Sequence, residues 1–251
     1  PSYQGDIANN FNYIGNVLFA QEKYVEALKS YQLALEIQKN YYRNDHMNMT
    51  ITLNNIGKTF QEQRKVDESI EYYEKALEIQ KKYYPSGSIT IANTINRIGH
   101  FLYKEQKYDA AIYYYRRALS MQENLYLDDY IEISHIVSFI GNTLYEQKKY
   151  DEALQVHHKA LAIQQKHHEF PYVDIANTLS RIGDILGWQK KYDEAIEFYQ
   201  RALTVREKFD TTNHVGIANC MKNIANILTD QGKYEEAIEF QQRALTFEEE
   251  K

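Results

Sequence analysis

The dominant pattern along the chain is a helical stripe of apolar residues that returns every 42 positions. Ile7, Phe11, Ile14 and Leu18 are spaced i, i+4, i+7 and i+11, one face of a 3.6-residue period. The same stripe recurs as Ile91, Ile95, Ile98, Leu102 and as Ile175, Leu179, Ile182, Leu186. A short polar turn such as Glu22-Lys23-Tyr24 or Lys190-Lys191-Tyr192 leads into a second stripe. That stripe runs Ala27, Tyr31, Ala34, Ile37 in the first copy and Ala195, Tyr199, Ala202, Val205 in the fifth. Polar breaks separate the copies at Asn44-Asp45-His46, Pro85-Ser86-Gly87-Ser88, Leu127-Asp128-Asp129, Pro171 and Asn213-His214. Each copy therefore predicts an antiparallel helix pair. One pair cannot bury both of its stripes, so neighbouring pairs must stack to complete a continuous core.

Small residues keep the same register. Glycine stands at Gly15, Gly57, Gly99, Gly141 and Gly183, with Ala225 in the sixth place, and isoleucine precedes each one. A second small position holds Ala27, Ser69, Ala111, Ala153, Ala195 and Ala237; a third holds Ala34, Ala76, Ala118, Ala160, Ala202 and Ala244. Glycine inside a helix costs roughly 1 kcal/mol against alanine. Its return in five copies requires an offsetting benefit, and close approach of the first helix to the second supplies one.

With Gly15 set as the eighth residue of a repeat, Ala27, Tyr31 and Ala34 fall at its twentieth, twenty-fourth and twenty-seventh positions. This arrangement resembles the tetratricopeptide repeat over nearly the whole chain. The 42-residue form, clearest in 52–57, 74–80 and 175–183, looks like the repeats of kinesin light chains, without the coiled-coil heptads that join a light chain to its motor. The resemblance implies an all-α, right-handed α-solenoid of six antiparallel helix pairs. The expected organisation is a single repeat domain over 1–251, with copies at about 7–46, 47–88, 89–130, 131–172, 173–214 and 215–251, forming part of a longer protein.

Composition narrows the function. A net charge of −6 argues against general affinity for nucleic acid or anionic lipid. No apolar run approaches the roughly 20 residues of a membrane helix. The single cysteine excludes an internal disulfide framework and fits a reducing compartment, so a cytoplasmic location is expected. The chemistry of an enzyme is missing. There is no HExxH or CxxC spacing, no base paired to Cys220, and no cofactor motif. His157 occupies the aromatic position held elsewhere by Tyr31, Tyr73, Tyr115 and Tyr199, and reads as a packed core histidine; the other histidines, including His168, read as surface.

The informative face is the one opposite the buried stripe of each first helix, at positions 9, 12, 13, 16, 19, 20 and their equivalents. The resemblance places this face inside the superhelix. Twelve of the eighteen asparagines lie there: Asn9, Asn12, Asn16, Asn54, Asn55, Asn93, Asn96, Asn142, Asn177, Asn219, Asn223 and Asn226. Asparagine is a poor helix-interior residue, so this clustering requires a cause. A primary amide both donates and accepts, and a row of them can hold a peptide backbone without reading its side chains. The plainer alternative is that these amides solvate the face or bond one another between copies.

The remaining positions of the face would set specificity. Lys58, Arg97, His100 and Lys104 make the second and third copies basic, and Arg181 and Lys222 add positive charge further on. Tyr103, Tyr145 and Trp188, the last beside Gly187, supply apolar contact. Asn16, Asn55 and Arg97 match positions of the clamp by which some tetratricopeptide domains dock chaperone C-termini, but Asn12 and Asn93 stand where that clamp has lysine.

The expected function is a non-enzymatic scaffold that binds an extended, acidic-aromatic peptide segment of a partner protein. The alternatives are a peptide-sensing regulatory module and a structural assembly by end-to-end stacking. The last copy leaves Ala237, Ala244 and Phe247 to be covered, which predicts either further chain or self-association through that end.

Overall fold

The computed structural model describes residues 3–42, 46–85, 87–125, 130–167 and 171–249. The break residues Asn44, Asp45, Ser86 and Leu127-Asp128-Asp129, and His168, lie outside the described residues. Within them the chain is all helix: α1 (Tyr3–Ala20), α2 (Tyr24–Tyr42), α3 (Met49–Glu62), α4 (Val66–Tyr83), α5 (Ile89–Lys104), α6 (Tyr108–Leu125), α7 (Tyr130–Glu146), α8 (Tyr150–Lys166), α9 (Tyr172–Trp188), α10 (Tyr192–Phe209), α11 (His214–Asp230) and α12 (Tyr234–Glu249). Two compact units divide them, Pro1–Leu125 with α1–α6 and Tyr126–Lys251 with α7–α12.

Every helix pair turns in the same way. The residue two before each second helix has a left-handed backbone: Glu22, Arg64, Gln106, Lys148 and Lys190 at φ 57–61°, and Gly232 at 77°. In the third pair Gln106 N–H bonds the Tyr103 carbonyl and Lys107 N–H bonds the Leu102 carbonyl, 3.0 and 2.9 Å. This double closure satisfies carbonyls left open at a helix C-terminus. It returns in all six pairs, down to Gly232 on Thr229 and Lys233 on Leu228. Five of the six turns therefore hold a side chain where glycine would be relaxed.

The glycines beneath the aromatic rings follow from contact. A Cβ on Gly99 would lie 2.7 Å from the Tyr115 ring, one on Gly183 2.9 Å from Tyr199, and one on Gly141 2.7 Å from His157 Nε2. In the sixth pair the aromatic gives way to Gln241 and the glycine to Ala225, so both halves of the contact change together. Ala27, Ala34, Ala111, Ala118, Ala195 and Ala202 are fully buried where the two helices of a pair meet. Ser69, which replaces alanine, bonds the Gly57 carbonyl at 2.9 Å.

Stacking of pairs inside each unit supplies the rest of the core. Leu35, Leu77, Leu161 and Leu203 are 0–7% exposed, whereas Leu245 at the same register on α12 is 53% exposed and Ile238 57%. This corrects the expectation for the last copy. Ala237 and Ala244 are already covered within their own pair, and Phe247 packs half-buried against the core. The open stripe is Ile238 and Leu245, because the small residues face the companion helix and their neighbours face the next pair.

Candidate functional site

In the second unit, α7, α9 and α11 form a cavity of about 590 Å³. Asn142, Asn177, Asn219 and Asn223 line it together with Arg181, Asp184, His135 and Phe139. All of these sit on first helices, since the 42-residue register returns the same helix face to the same side. The floor comes from the second helices α8 and α10, through His157, Gln164 and Arg206.

The floor is where the repeat departs from its own pattern. Tyr31 O–H donates to Asn16 at 2.8 Å and Tyr199 O–H to Asp184 at 2.7 Å; Tyr115 O–H meets His100 Nδ1 at 3.2 Å. Each joins a buried ring to the exposed helix face. His157 cannot reach in that way. It is 1% exposed, neither ring nitrogen has a hydrogen-bond partner, and burial, assisted by Arg181 and His158, lowers its pKa to about 4. It is thus a packed core histidine as expected, but one that also lines a cavity.

Arg206 occupies the slot that holds Gln38, Gln80, Gln122 and Gln164 in the earlier copies. It is 7% exposed, donates to Asn177 at 2.6 Å and to Asp210 at 3.2 Å, and leaves Nε unpaired. Gly216 makes room for it, since a Cβ there would come within 2.5 Å of Arg206 Nη1. Sequence reasoning missed both. Their signal was a residue that breaks the register, legible only once the register is laid out. Cys220 is buried, with its thiol pKa raised by burial, and is no activated nucleophile.

Asn12 is buried and donates to Thr52 Oγ1 at 2.8 Å, and Asn55 donates to Asn16 at 3.2 Å. With Asn177 on Arg206, these amides bond within the protein, as the plainer reading allowed. Asn96 is buried on α5; Asn54, His100, Tyr103 and Tyr145 are half-buried, and Asn9, Asn93 and Asn226 are exposed. Lys58, Arg97 and Lys104 are exposed on α3 and α5, with Lys58 4.5 Å above the Phe19 ring. Arg181 and Lys222 are held by carboxylates, Asp184 at 3.2 Å and Glu248 at 2.6 Å. Among the described residues, the lysines and arginines of the expected face that no carboxylate holds are therefore in the first unit. Trp188 is 63% exposed, donates to Tyr145 Oη at 2.5 Å and stacks over Tyr150.

The tetratricopeptide repeat model matches residues 6–82, 90–166 and 174–250. The chain belongs to that family. As a tetratricopeptide repeat protein it is similar in structure to BtubC (BKLC) from P. vanneervenii, at 21% identity over 84% of each chain and a TM-score of 0.65. A putative kinesin light chain of Podospora anserina, with nearly identical TPR-like repeats, matches at 14% identity over 82% of this chain and 97% of its own, TM-score 0.65. The apo form of RapI matches at 15% over 96% and 97%, TM-score 0.62. Comparison with curated protein sequences finds no match. Among the described residues, no three His, Cys, Asp or Glu side chains gather to hold a metal ion. No described helix is long and apolar enough to cross a membrane.

Proposed function

We propose that the chain is a non-enzymatic scaffold that holds an extended segment of a partner protein along its first-helix face, with the α7–α9–α11 cavity as the principal seat. Tetratricopeptide repeats are protein-interaction scaffolds, and stacked helix pairs present long binding surfaces suited to extended ligands. The observation that carries the reading is the set of amides of Asn142, Asn219 and Asn223, which line the cavity and are not bonded to Arg206. Each amide can donate to and accept from a peptide backbone. A Rap protein with the same fold, at 18% identity and TM-score 0.52, is described in complex with the Competence and Sporulation Factor.

In the first unit, exposed Lys58, Arg97 and Lys104 favour an acidic segment, and exposed charges of this kind mainly tune on-rate and salt response. Calorimetric titration with peptides tests both parts. Asn219→Ala, at an exposed amide, should weaken binding several-fold with the helical signal unchanged. Arg97→Glu should weaken acidic peptides selectively and flatten their salt dependence. Equal binding by acidic and basic peptides would remove the charge assignment. An unaffected Asn219→Ala titration would remove the amide seat.

A further inference from the structure

The cavity floor carries a further consequence. Four polar atoms there have no hydrogen-bond partner: Nδ1 and Nε2 of His157, Oε1 of Gln164 and Nε of Arg206. His157 and Gln164 are 1% and 2% exposed. Buried polar groups are almost always paired, and an unpaired one costs stability. Asn142, on the same cavity, is the counterpart of Asn16, yet its amide lacks the tyrosine hydroxyl that Asn16 accepts. The imidazole nitrogens and the glutamine oxygen are thus buried and unpaired among the residues that line one cavity, which Asn142 also lines.

The charges of the cavity decide what can enter. Both of its guanidinium groups are already held by carboxylates, Arg181 by Asp184 and Arg206 by Asp210. Asp174 also lines the cavity and accepts from His135 Nε2 at 3.0 Å. An incoming carboxylate meets Asp174 and Asp184 without a free cation, and an ammonium meets Arg181 and Arg206. An aliphatic group leaves all four atoms unpaired. A neutral imidazole offers one N–H and one acceptor nitrogen, and a carboxamide complements them. Its oxygen can accept from the imidazole N–H, and its NH₂ can donate to the acceptor ring nitrogen, so either face of the imidazole finds a match.

We propose that this pocket selects a glutamine or asparagine side chain of the bound peptide, with His157 as the residue that determines the preference. The proposal rests on the groove reading above. His157→Tyr is a clean probe of it, because Gly141 keeps the space beneath the ring and Asn142 can accept the new hydroxyl as Asn16 does from Tyr31. The variant rebuilds the first pair's arrangement and should fold.

A random dodecapeptide library displayed on phage, selected in parallel on the full chain and on His157→Tyr, tests the proposal. Peptides enriched on the parent should share Gln or Asn at one position. Replacing that residue by Glu or Leu should weaken calorimetric affinity by about ten- to a hundred-fold, as expected when buried partners are left unpaired. On His157→Tyr the peptides should still bind, with the preference reduced to within about two-fold. Enriched peptides with no shared amide residue, or a preference that survives in His157→Tyr, would overturn the pocket assignment and leave the groove standing. Failure to enrich any peptide would overturn both.

Discussion

The first and fourth helix pairs share one design and end in different states. In both, a glycine on the first helix lies under an aromatic ring of the second, and an asparagine follows the glycine: Gly15-Asn16 under Tyr31, Gly141-Asn142 under His157. In the first pair the ring carries a hydroxyl that reaches the asparagine and donates to its oxygen. In the fourth the ring ends short, both its nitrogens are unpaired, and a cavity opens beside it. The packing requirement is the same in both pairs, and one shorter side chain turns a closed joint into an open polar pocket. Repeats whose neighbours share the load can tolerate such a substitution singly.

The largest expected effect separating the two pairs is pH dependence. Burial holds the His157 pKa near 4, below the ordinary histidine value of about 6.5. Between those values the unfolded chain binds a proton that the folded chain refuses, so stability is full above about pH 6.5 and falls as pH drops toward 4. The loss can reach about 3 kcal/mol, at 1.36 kcal/mol per pKa unit. Urea midpoints at neutral and acidic pH, compared between the parent and His157→Tyr, isolate this term. An equal acid loss in both proteins would place it elsewhere.

Adding a methyl group to each glycine should break the comparison next. Gly15→Ala drives a Cβ into the Tyr31 ring and strains its bond to Asn16, and should cost about 3 kcal/mol. Gly141→Ala meets a ring with no bond to lose and a cavity beside it, and should cost about 1 kcal/mol. Thermal unfolding of the two variants decides it; losses in the opposite order would show that the cavity gives His157 no room.

A smaller gain is expected from His157→Tyr at neutral pH, about 1 kcal/mol from one new hydrogen bond. A loss instead would mean that the fourth pair cannot accept the first pair's ring. The smallest effect concerns what the two pairs hold in common. Glu22→Gly and Lys148→Gly relieve the same left-handed turn and should each stabilise by roughly 0.5–1 kcal/mol, nearly equally. Unequal gains would show that the two turns are not equivalent in strain.

Much of the fold was legible because a repeated contact leaves a repeated signature. Glycine under an aromatic ring, and alanine where helices meet, are demanded by sterics at every copy, so they return at a constant interval. The turns were not legible in this way. Five of the six left-handed positions hold Glu, Arg, Gln or Lys, since the helix-closing hydrogen bonds impose the conformation and no glycine marks it. The asparagine face was visible as a cluster, but the sequence did not separate Asn12 and Asn55, which bond inside the protein, or Asn177, which lines the cavity yet accepts from Arg206, from Asn142, Asn219 and Asn223, which line the cavity without that bond. That division depends on which side chain of the neighbouring pair lies within about 3 Å, the reach of a hydrogen bond.

By itself the sequence determined the helix pairs, their register and the small residues at their contacts, because these follow from periodicity and excluded volume along one chain. Only the tertiary structure decided that Arg206, made possible by Gly216, is buried against Asp210 and Asn177, that Lys222 is neutralised by Glu248, and that His157 stands unpaired at a cavity. These outcomes depend on distances between atoms 4 to 29 positions apart in the chain, or on a partner that is missing, and a one-dimensional pattern does not encode which polar atoms will find each other.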